Sequence, residues 1–313
     1  METFISCDWG TSNLRLRLVD KGTKMVLKEI ETSEGIASAW QSWKNEPAGA
    51  DRFSFYLSII KKHIDKWRNE NISPLENIPM LVSGMASSSI GITELEYAQM
   101  PMPADGSGLL VTKIESSATF PFPLFLISGA STPDDAMRGE ETLLAGCNTQ
   151  PGKTELFIFP GTHSKHVMVK NGVAESVATY MTGEFFALLS KYSILSGSIQ
   201  QPKSDMDPGF FEKGIMDGSE MNLLNAVFRV RVNHLFKKVT AAENFHYLSG
   251  LLIGAELSAV KGKEIDLVTV VAGEGLMNKY RSGLTLLEPG KKVNHVNADT
   301  ALVNGHCKII STL

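Results

Sequence analysis

The chain of 313 residues lacks several features that mark whole classes of protein. Its three cysteines, Cys7, Cys147 and Cys307, are odd in number and widely spaced, which predicts buried free thiols in a reducing compartment. No run of about 18 apolar residues is present, so no membrane-spanning helix is expected. The N-terminus has a strand pattern in place of the basic-then-apolar order of a secretory signal, which favours the cytoplasm.

The chain also has no excess of positive charge. Lysine and arginine total 30 against 34 acidic residues, giving a formal net charge of −4 and a pI of about 6.0. This balance argues against general nucleic-acid binding, and against a polyphosphate phosphatase, which would need a long basic channel. A hydrophobic content of 43% and a charged content of 20% are ordinary for a globular protein of about two domains.

A strand–turn–strand pattern is present twice, at residues 4–16 and 156–169. Each copy is an apolar run, a Gly-Thr turn and a second run followed by a glycine, which is typical of a β-hairpin. Such turns offer backbone N–H groups, hydroxyls and positive charge to a phosphate. Two of them facing each other across a cleft would hold the triphosphate of a nucleotide. The candidate phosphate-binding residues of the two turns are Gly10, Thr11, Ser12, Gly161, Thr162, His163 and Lys165.

Only the first copy carries an acid two residues before its glycine. That acid is Asp8, whereas the equivalent residue of the second copy is Phe159. A carboxylate at the end of a strand can hold Mg²⁺ through water; the alternative role is to cap the turn. Arg15, on the second strand, either reaches the transferred phosphate or lines the sheet. The pattern predicts one metal-holding lobe and one phosphate-clamping lobe.

The order of the predicted elements is β-hairpins followed by helix–strand alternation, twice over. This order predicts an α/β protein of two lobes with a central cleft. The boundary is expected in the loop-like stretch 147–153, giving lobes of residues 1–147 and 148–313. Helices are predicted at 52–70 and 138–146 in the first lobe, and in the second at 182–195, 220–238 and 243–260, which form a helical insertion over about 182–260.

Three segments resemble the motifs of one superfamily. Residues 8–15, Asp-Trp-Gly-Thr-Ser-Asn-Leu-Arg, resemble the first phosphate motif of the sugar kinase, hsp70 and actin superfamily, and 160–165 resemble its second. Ala272-Gly273-Glu274-Gly275 resembles its adenosine motif, which makes Gly273 and Gly275 candidates for contact with adenine and ribose. This likeness implies two duplicated ribonuclease-H-like lobes of the actin-like ATPase fold, with ATP and Mg²⁺ bound between them.

More narrowly, the chain resembles the 2-dehydro-3-deoxygalactonokinase family. The matching segments are Met137–Thr142, Met181–Glu184, Leu248–Glu256 and the loop from Gly84-Met85 to Pro101–Ala104. The resemblance implies phosphorylation of 2-dehydro-3-deoxy-D-galactonate on its 6-hydroxyl in galactonate breakdown. The chain departs from the family pattern at 86–92 and at His166, where a tryptophan is usual.

The resemblance also implies roles for charged residues. Phosphoryl transfer needs a carboxylate to take the proton of the hydroxyl, and Glu140 and Glu141 begin a predicted helix where related kinases carry that acid. Glu141 is favoured because it directly precedes a threonine, although first-turn acids also stabilise helices without any catalytic role. Arg138 pairs either with the substrate carboxylate or with one of these glutamates.

The remaining substrate candidates are Gly84, Met85, Gly183 and Glu184, the last two also being compatible with an ordinary helix start. Two other functions stay open: a kinase for another sugar acid or ketose, and a nucleotide-dependent binding protein without sugar transfer. The expected partners are a small sugar acid and ATP, without nucleic acid or membrane, and a homodimer is the default assembly.

Overall fold

The computed structural model describes residues 2–69, 77–202 and 208–313. Glu70, the predicted last residue of the first long helix, lies outside these ranges. The chain forms two compact units. Unit 1 comprises Met1–Thr149, Gly172–Val177 and Ala298–Leu313, and unit 2 comprises Gln150–Asn171 and Ala178–Asn297. Residues 298–313, assigned to the second lobe from sequence, therefore cluster with unit 1.

Fifteen strands and ten α-helices are present in the described residues. The strands are β1 (Thr3–Trp9), β2 (Leu14–Asp20), β3 (Val26–Thr32), β4 (Met80–Gly84), β5 (Ala98–Gln99), β6 (Met102–Pro103), β7 (Val111–Ile114), β8 (Leu124–Ile127), β9 (Ala130–Ser131), β10 (Ala136–Met137), β11 (Thr154–Phe159), β12 (Ser164–Lys170), β13 (Val173–Tyr180), β14 (Leu267–Val271) and β15 (Val293–Val296). The helices are α1 (Ile36–Lys44), α2 (Arg52–Asn69), α3 (Glu140–Gly146), α4 (Thr182–Tyr192), α5 (Pro208–Glu220), α6 (Leu223–Ala226), α7 (Phe228–Leu235), α8 (Ala241–Leu257), α9 (Glu274–Leu287) and α10 (Ala298–Ile310).

The main sheet of unit 1 has the order β3-β2-β1-β4-β8-β7. Strand β1 pairs antiparallel with β2 and parallel with β4, and β4 pairs parallel with β8. Alternation along β1 places Ile5, Cys7 and Trp9 in an apolar core with residues of α1 and α2. On the opposite face, Ser6 bonds to His306 and Arg17 to Asp299, both on α10. The helices therefore cover both faces of the sheet.

The sheet of unit 2 repeats this arrangement. Strand β11 pairs antiparallel with β12 and parallel with β14, and β14 pairs parallel with β15. The orders β2-β1-β4-β8 and β12-β11-β14-β15 thus carry the same sequence of antiparallel, parallel and parallel neighbours. The prediction of two duplicated α/β lobes of the ribonuclease-H-like, actin-like ATPase type is confirmed.

The helical part of unit 2 differs from the prediction. The prediction of one helix over 220–238 is wrong. Asn222 caps a new helix start by accepting the Leu224 N–H, and two short helices, α6 and α7, follow. Helix α5 was not predicted, since a proline and several glycines lower its helix propensity. Packing outweighs that cost. A Cβ on Gly218 would lie 2.0 Å from the Leu251 carbonyl oxygen, so α5 and α8 cross backbone to backbone.

All three cysteines are buried and free, as predicted. In the described part of the chain, no helix combines the length and the apolar character that crossing a membrane requires.

The crossing of α5 and α8 predicts a steep cost for one added methyl group. A Cβ on Gly250 would lie 2.0 Å from the Phe211 carbonyl oxygen, so Gly250→Ala must push two helix backbones apart. We expect it to lower the free energy of unfolding by about 3 kcal/mol, measured by urea denaturation. Gly275→Ala is the matched control, because that helical glycine has no atom within 4 Å of its added Cβ. Equal losses in the two variants would contradict the packing argument.

Candidate active site

The first predicted phosphate loop, residues 10–13, is seated on the start of α1. The carbonyl oxygens of Gly10, Thr11 and Ser12 accept the N–H groups of Ile36, Ala37 and Gly35 at 3.0–3.1 Å. The Thr11 and Ser12 side chains are exposed. With the loop carbonyls directed to the helix, these hydroxyls stay available to a ligand.

Gly35 makes this seating possible, and sequence reasoning missed it. A Cβ on Gly35 would lie 2.2 Å from the carbonyl carbon of Ser12, a distance that no side chain tolerates. The available signal was its place in the sequence, between the last strand of a meander and an apolar helical pattern.

Asp8 lies in a ladder of charges across three strands. Register pairs Asp8 with Arg15 and Arg15 with Glu31. The Arg15 guanidinium is 2.9 Å from Glu31 Oε1 and 3.7 Å from Asp8 Oδ2, so Arg15 lies along the sheet between two carboxylates. Burial raises the pKa of Asp8 above its ordinary value, and the charge of Arg15 opposes that shift. The Asp8 side chain keeps 27% of its surface exposed.

The ends of β1 and β4 and the start of α3 lie together beside Asp8. A Cβ on Gly84 would be 2.8 Å from the Trp9 carbonyl oxygen and 3.4 Å from Asp8 Oδ1, and one on Gly139 would be 3.4 Å from the Gly84 Cα. Both glycines have positive φ, 83° and 113°, which a side chain would strain. Met85, predicted to contact the substrate, packs against the hydrophobic core of unit 1.

The two candidate glutamates have different surroundings. Glu140 is partly exposed, and its Oε2 accepts the Arg138 N–H at 3.0 Å. Glu141 is 1% exposed; both of its carboxylate oxygens accept the Gly139 N–H, at 2.8 and 2.7 Å, and Oε1 accepts the Thr142 hydroxyl at 3.3 Å. Burial, with a smaller contribution from the charge of Glu140, raises the pKa of Glu141 to about 8.

Arg138 supports the neighbouring loop. Its Nη1 donates to the carbonyl and hydroxyl oxygens of Ser87 at 2.7 and 2.6 Å, and its Nη2 lies 3.5 Å from the Leu95 carbonyl oxygen. The guanidinium also lies over the Tyr97 ring, 4.1 Å from its centre. These contacts fix the loop that carries the divergent residues 86–92.

The second predicted phosphate loop, like the first, is in close backbone contact with a glycine at the start of a helix. A Cβ on Gly183 would lie 2.5 Å from the Gly161 carbonyl oxygen, and the Glu184 N–H donates to the Thr162 carbonyl at 3.0 Å. Gly183, predicted to bind substrate, thus seats the loop on α4 as Gly35 seats the first loop on α1. Gly161, Thr162 and His163 are exposed.

The charged residues of this loop are already partnered. His163 Nε2 is 2.5 Å from Glu184 Oε2, with both side chains partly exposed. The Lys165 ammonium donates to the Thr179 hydroxyl at 2.8 Å, and Lys165 is only 8% exposed. His166 is buried and bonds to Glu256 at 2.9 Å. The exposed groups of this loop are therefore its backbone, the Thr162 hydroxyl and His163, the last paired with Glu184.

The predicted adenosine loop follows β14 and starts α9. Gly273 and Gly275 are exposed, and no atom lies within 4 Å of a Cβ built on either. Packing does not require these glycines. Their lack of side chains leaves a bare backbone surface on which a flat ring can lie.

Comparison with known proteins assigns the family. A profile described as 2-keto-3-deoxy-galactonokinase matches residues 8–309, almost the whole chain. The chain belongs to this family.

Two curated relatives match at full length. An Escherichia coli (strain K12) protein named 2-dehydro-3-deoxygalactonokinase is 26% identical over 96% of this chain and 95% of its own. A Rhizobium meliloti (strain 1021) protein assigned the same activity is 28% identical over 96% and 94%. A crystal structure from Sinorhizobium meliloti, assigned as a 2-dehydro-3-deoxygalactonokinase, superposes with a TM-score of 0.81 at 28% identity, covering 98% of this chain and 96% of that one.

These matches confirm the predicted sugar-acid kinase family and its enzyme class. Membership of a kinase family makes ATP the expected phosphoryl donor. The role of each site residue stays a prediction.

The surroundings of Glu141 predict a pH-dependent stability. The folded chain keeps this proton up to about pH 8, whereas the unfolded chain loses it near 4.5, so stability falls as pH rises between these values. Glu141→Gln lacks this ionisable group, so its stability does not fall in this way. As pH rises, we expect the free energy of unfolding of the variant to increase relative to that of the unaltered chain, by up to about 1.4 kcal/mol per pH unit. Urea denaturation at pH 5 to 8.5 measures it, and parallel profiles for the two proteins would contradict the raised pKa.

Proposed function

We propose that the chain transfers the γ-phosphoryl group of ATP to the 6-hydroxyl of 2-dehydro-3-deoxy-D-galactonate. The observation that carries the proposal is the pair of predicted phosphate loops, each in close backbone contact with a glycine at a helix start, Gly35 before α1 and Gly183 in the first turn of α4, in a chain of the 2-keto-3-deoxy-galactonokinase family. The product is a 6-phosphorylated keto acid suited to cleavage by an aldolase in galactonate breakdown.

Asp8 is the proposed magnesium residue. Its carboxylate lies at the end of a strand, next to exposed loop hydroxyls, and keeps partial exposure. In residues 2–69, 77–202 and 208–313, no three His, Cys, Asp or Glu side chains group together as metal ligands. One carboxylate acting through water fits Mg²⁺, which keeps most of its waters, and the bound ion would neutralise charge on the phosphates.

Glu140 is the proposed base. A base must contact the hydroxyl that it deprotonates. Glu140 is partly exposed, whereas Glu141 is buried and its pKa of about 8 keeps it protonated at neutral pH. We therefore assign proton transfer to Glu140, and to Glu141 the fixing of the turn at Gly139.

A kinase for another sugar acid is the second candidate. The loop over 86–92 departs from the family pattern, and Arg138 fixes it through Ser87 and Leu95. A different loop shape beside Gly84 would alter which sugar acid fits while leaving phosphate chemistry intact.

We further propose a cytoplasmic location, on the free buried cysteines. The homodimer remains a prediction, testable by sedimentation.

The purified chain should consume ATP with 2-dehydro-3-deoxygalactonate, and much more slowly with other 2-keto-3-deoxy acids, parent aldonates and free hexoses. Activity should vanish with EDTA and return with Mg²⁺. A coupled ADP assay across this panel measures both. Turnover with another acid alone would favour the second candidate, and ATP binding without turnover on any acceptor would favour a binding protein.

Substitution of the two glutamates separates their roles. We expect Glu140→Gln to lower kcat by about 10² to 10⁴, because it removes the proton acceptor while keeping the size of the side chain. Glu141→Gln, the matched control one residue away, should lower kcat by less than about tenfold. Steady-state kinetics at saturating ATP measures both. A larger loss in Glu141→Gln than in Glu140→Gln would make Glu141 the base.

A further inference from the structure

The core of unit 2 contains a carboxylate that four side chains contact. Glu256, on α8, is 2% exposed. Its Oε1 accepts the Ser164 hydroxyl at 2.7 Å and the His166 Nε2–H at 2.9 Å. Its Oε2 accepts the Tyr280 hydroxyl at 2.7 Å and the Thr182 hydroxyl. A buried carboxylate of this kind is stabilised by its donors alone, so each of them is held in place.

Each donor adjoins one of the predicted nucleotide segments. Ser164 and His166 are on β12, directly after the loop Gly161–His163. Thr182 is the first residue of α4 and precedes Gly183, which seats that loop. Tyr280 is on α9, two turns after the predicted adenosine loop at Gly273. Strand β12 and helices α4 and α9 thus meet at one carboxylate.

We propose that Glu256 is the positioning residue of the nucleotide site: it ties the second phosphate loop, its seating helix and the adenosine helix into one rigid frame. The proposal rests on the proposed ATP-dependent function and deepens it. Glu256 does not contact the nucleotide in this scheme. It acts through the backbone of residues 161–163 and 273–275, which bind ATP only when their spacing is fixed.

The physical reason is the cost of an incomplete network. Removing one donor leaves a buried carboxylate oxygen with one hydrogen bond fewer, and the loss destabilises the folded chain. The segment that lost its contact then moves relative to the other two. Nucleotide affinity should fall, while the sugar-acid contacts predicted for unit 1, at Gly84 and Met85, are unchanged.

The test uses two buried tyrosines of unit 2. Tyr280 and Tyr247 are each 1% exposed, and each donates its hydroxyl to a carboxylate at 2.7 Å, Glu256 and Asp217 respectively. Tyr280→Phe should raise the Kd of Mg-ADP, measured by titration calorimetry, about tenfold. Tyr247→Phe, the matched control between α5 and α8, should change it by less than about twofold.

A second variant pair guards against a folding defect. Thr182→Val keeps the shape of the side chain without its hydroxyl and should also weaken ADP binding, whereas Thr182→Ser restores the hydroxyl and should recover most of the affinity. In Tyr280→Phe, the KM for ATP should rise more than the KM for the sugar acid. Thermal unfolding of every variant identifies those that are simply unfolded.

Equal ADP affinity in Tyr280→Phe and Tyr247→Phe, with both folded, would overturn the proposal even if the unaltered chain is an active kinase. Failure of the unaltered chain to bind ADP would overturn it as well. If ADP binds and the variants behave as expected, but no sugar acid is phosphorylated, the positioning role stands and the proposed acceptor is wrong.

Discussion

The close seating of a loop on a helix start is the constraint on which the rest of this structure depends. In each unit a glycine, Gly35 or Gly183, lets the backbone of a hairpin turn approach the first residues of a helix within a distance that excludes any side chain. The loop carbonyls are satisfied by helix N–H groups, so the loop keeps one shape without a ligand. A loop that is fixed in this way loses little entropy when a ligand binds to it.

The same constraint explains what the sequence could predict. The two hairpins and the α/β class follow from local patterns of apolar residues and glycines, and these were predicted correctly. The phosphate-binding role of the two turns stays a prediction. Gly35 was missed because its contact is with Ser12, which is close only in the folded chain. Helix α5 was missed for the same reason, since its glycines are unfavourable until α8 packs against them.

The two adjacent glutamates show the limit of motif reasoning at a site. A carboxyl at the start of a helix was predicted, and both candidates are there. Sequence favoured Glu141 because of the threonine that follows, but the fold buries Glu141 and leaves Glu140 partly exposed. A side chain's access to solvent depends on how the helix is rotated against α10 and the sheet, which no local pattern specifies. Arg138 is similar, because its partners Ser87 and Leu95 lie far away in sequence.

The last helix has a consequence for biosynthesis. Helix α10 covers the polar face of the first sheet, where His306 bonds to Ser6 across 300 residues of chain. A ribosome therefore releases β1, β2 and β4 long before the partner that shields them. All of unit 2, Gln150–Asn171 and Ala178–Asn297, is synthesised before this helix. The contact between Ser6 and His306 can form only after the last helix is made, so this face of the first sheet stays uncovered until the end of synthesis.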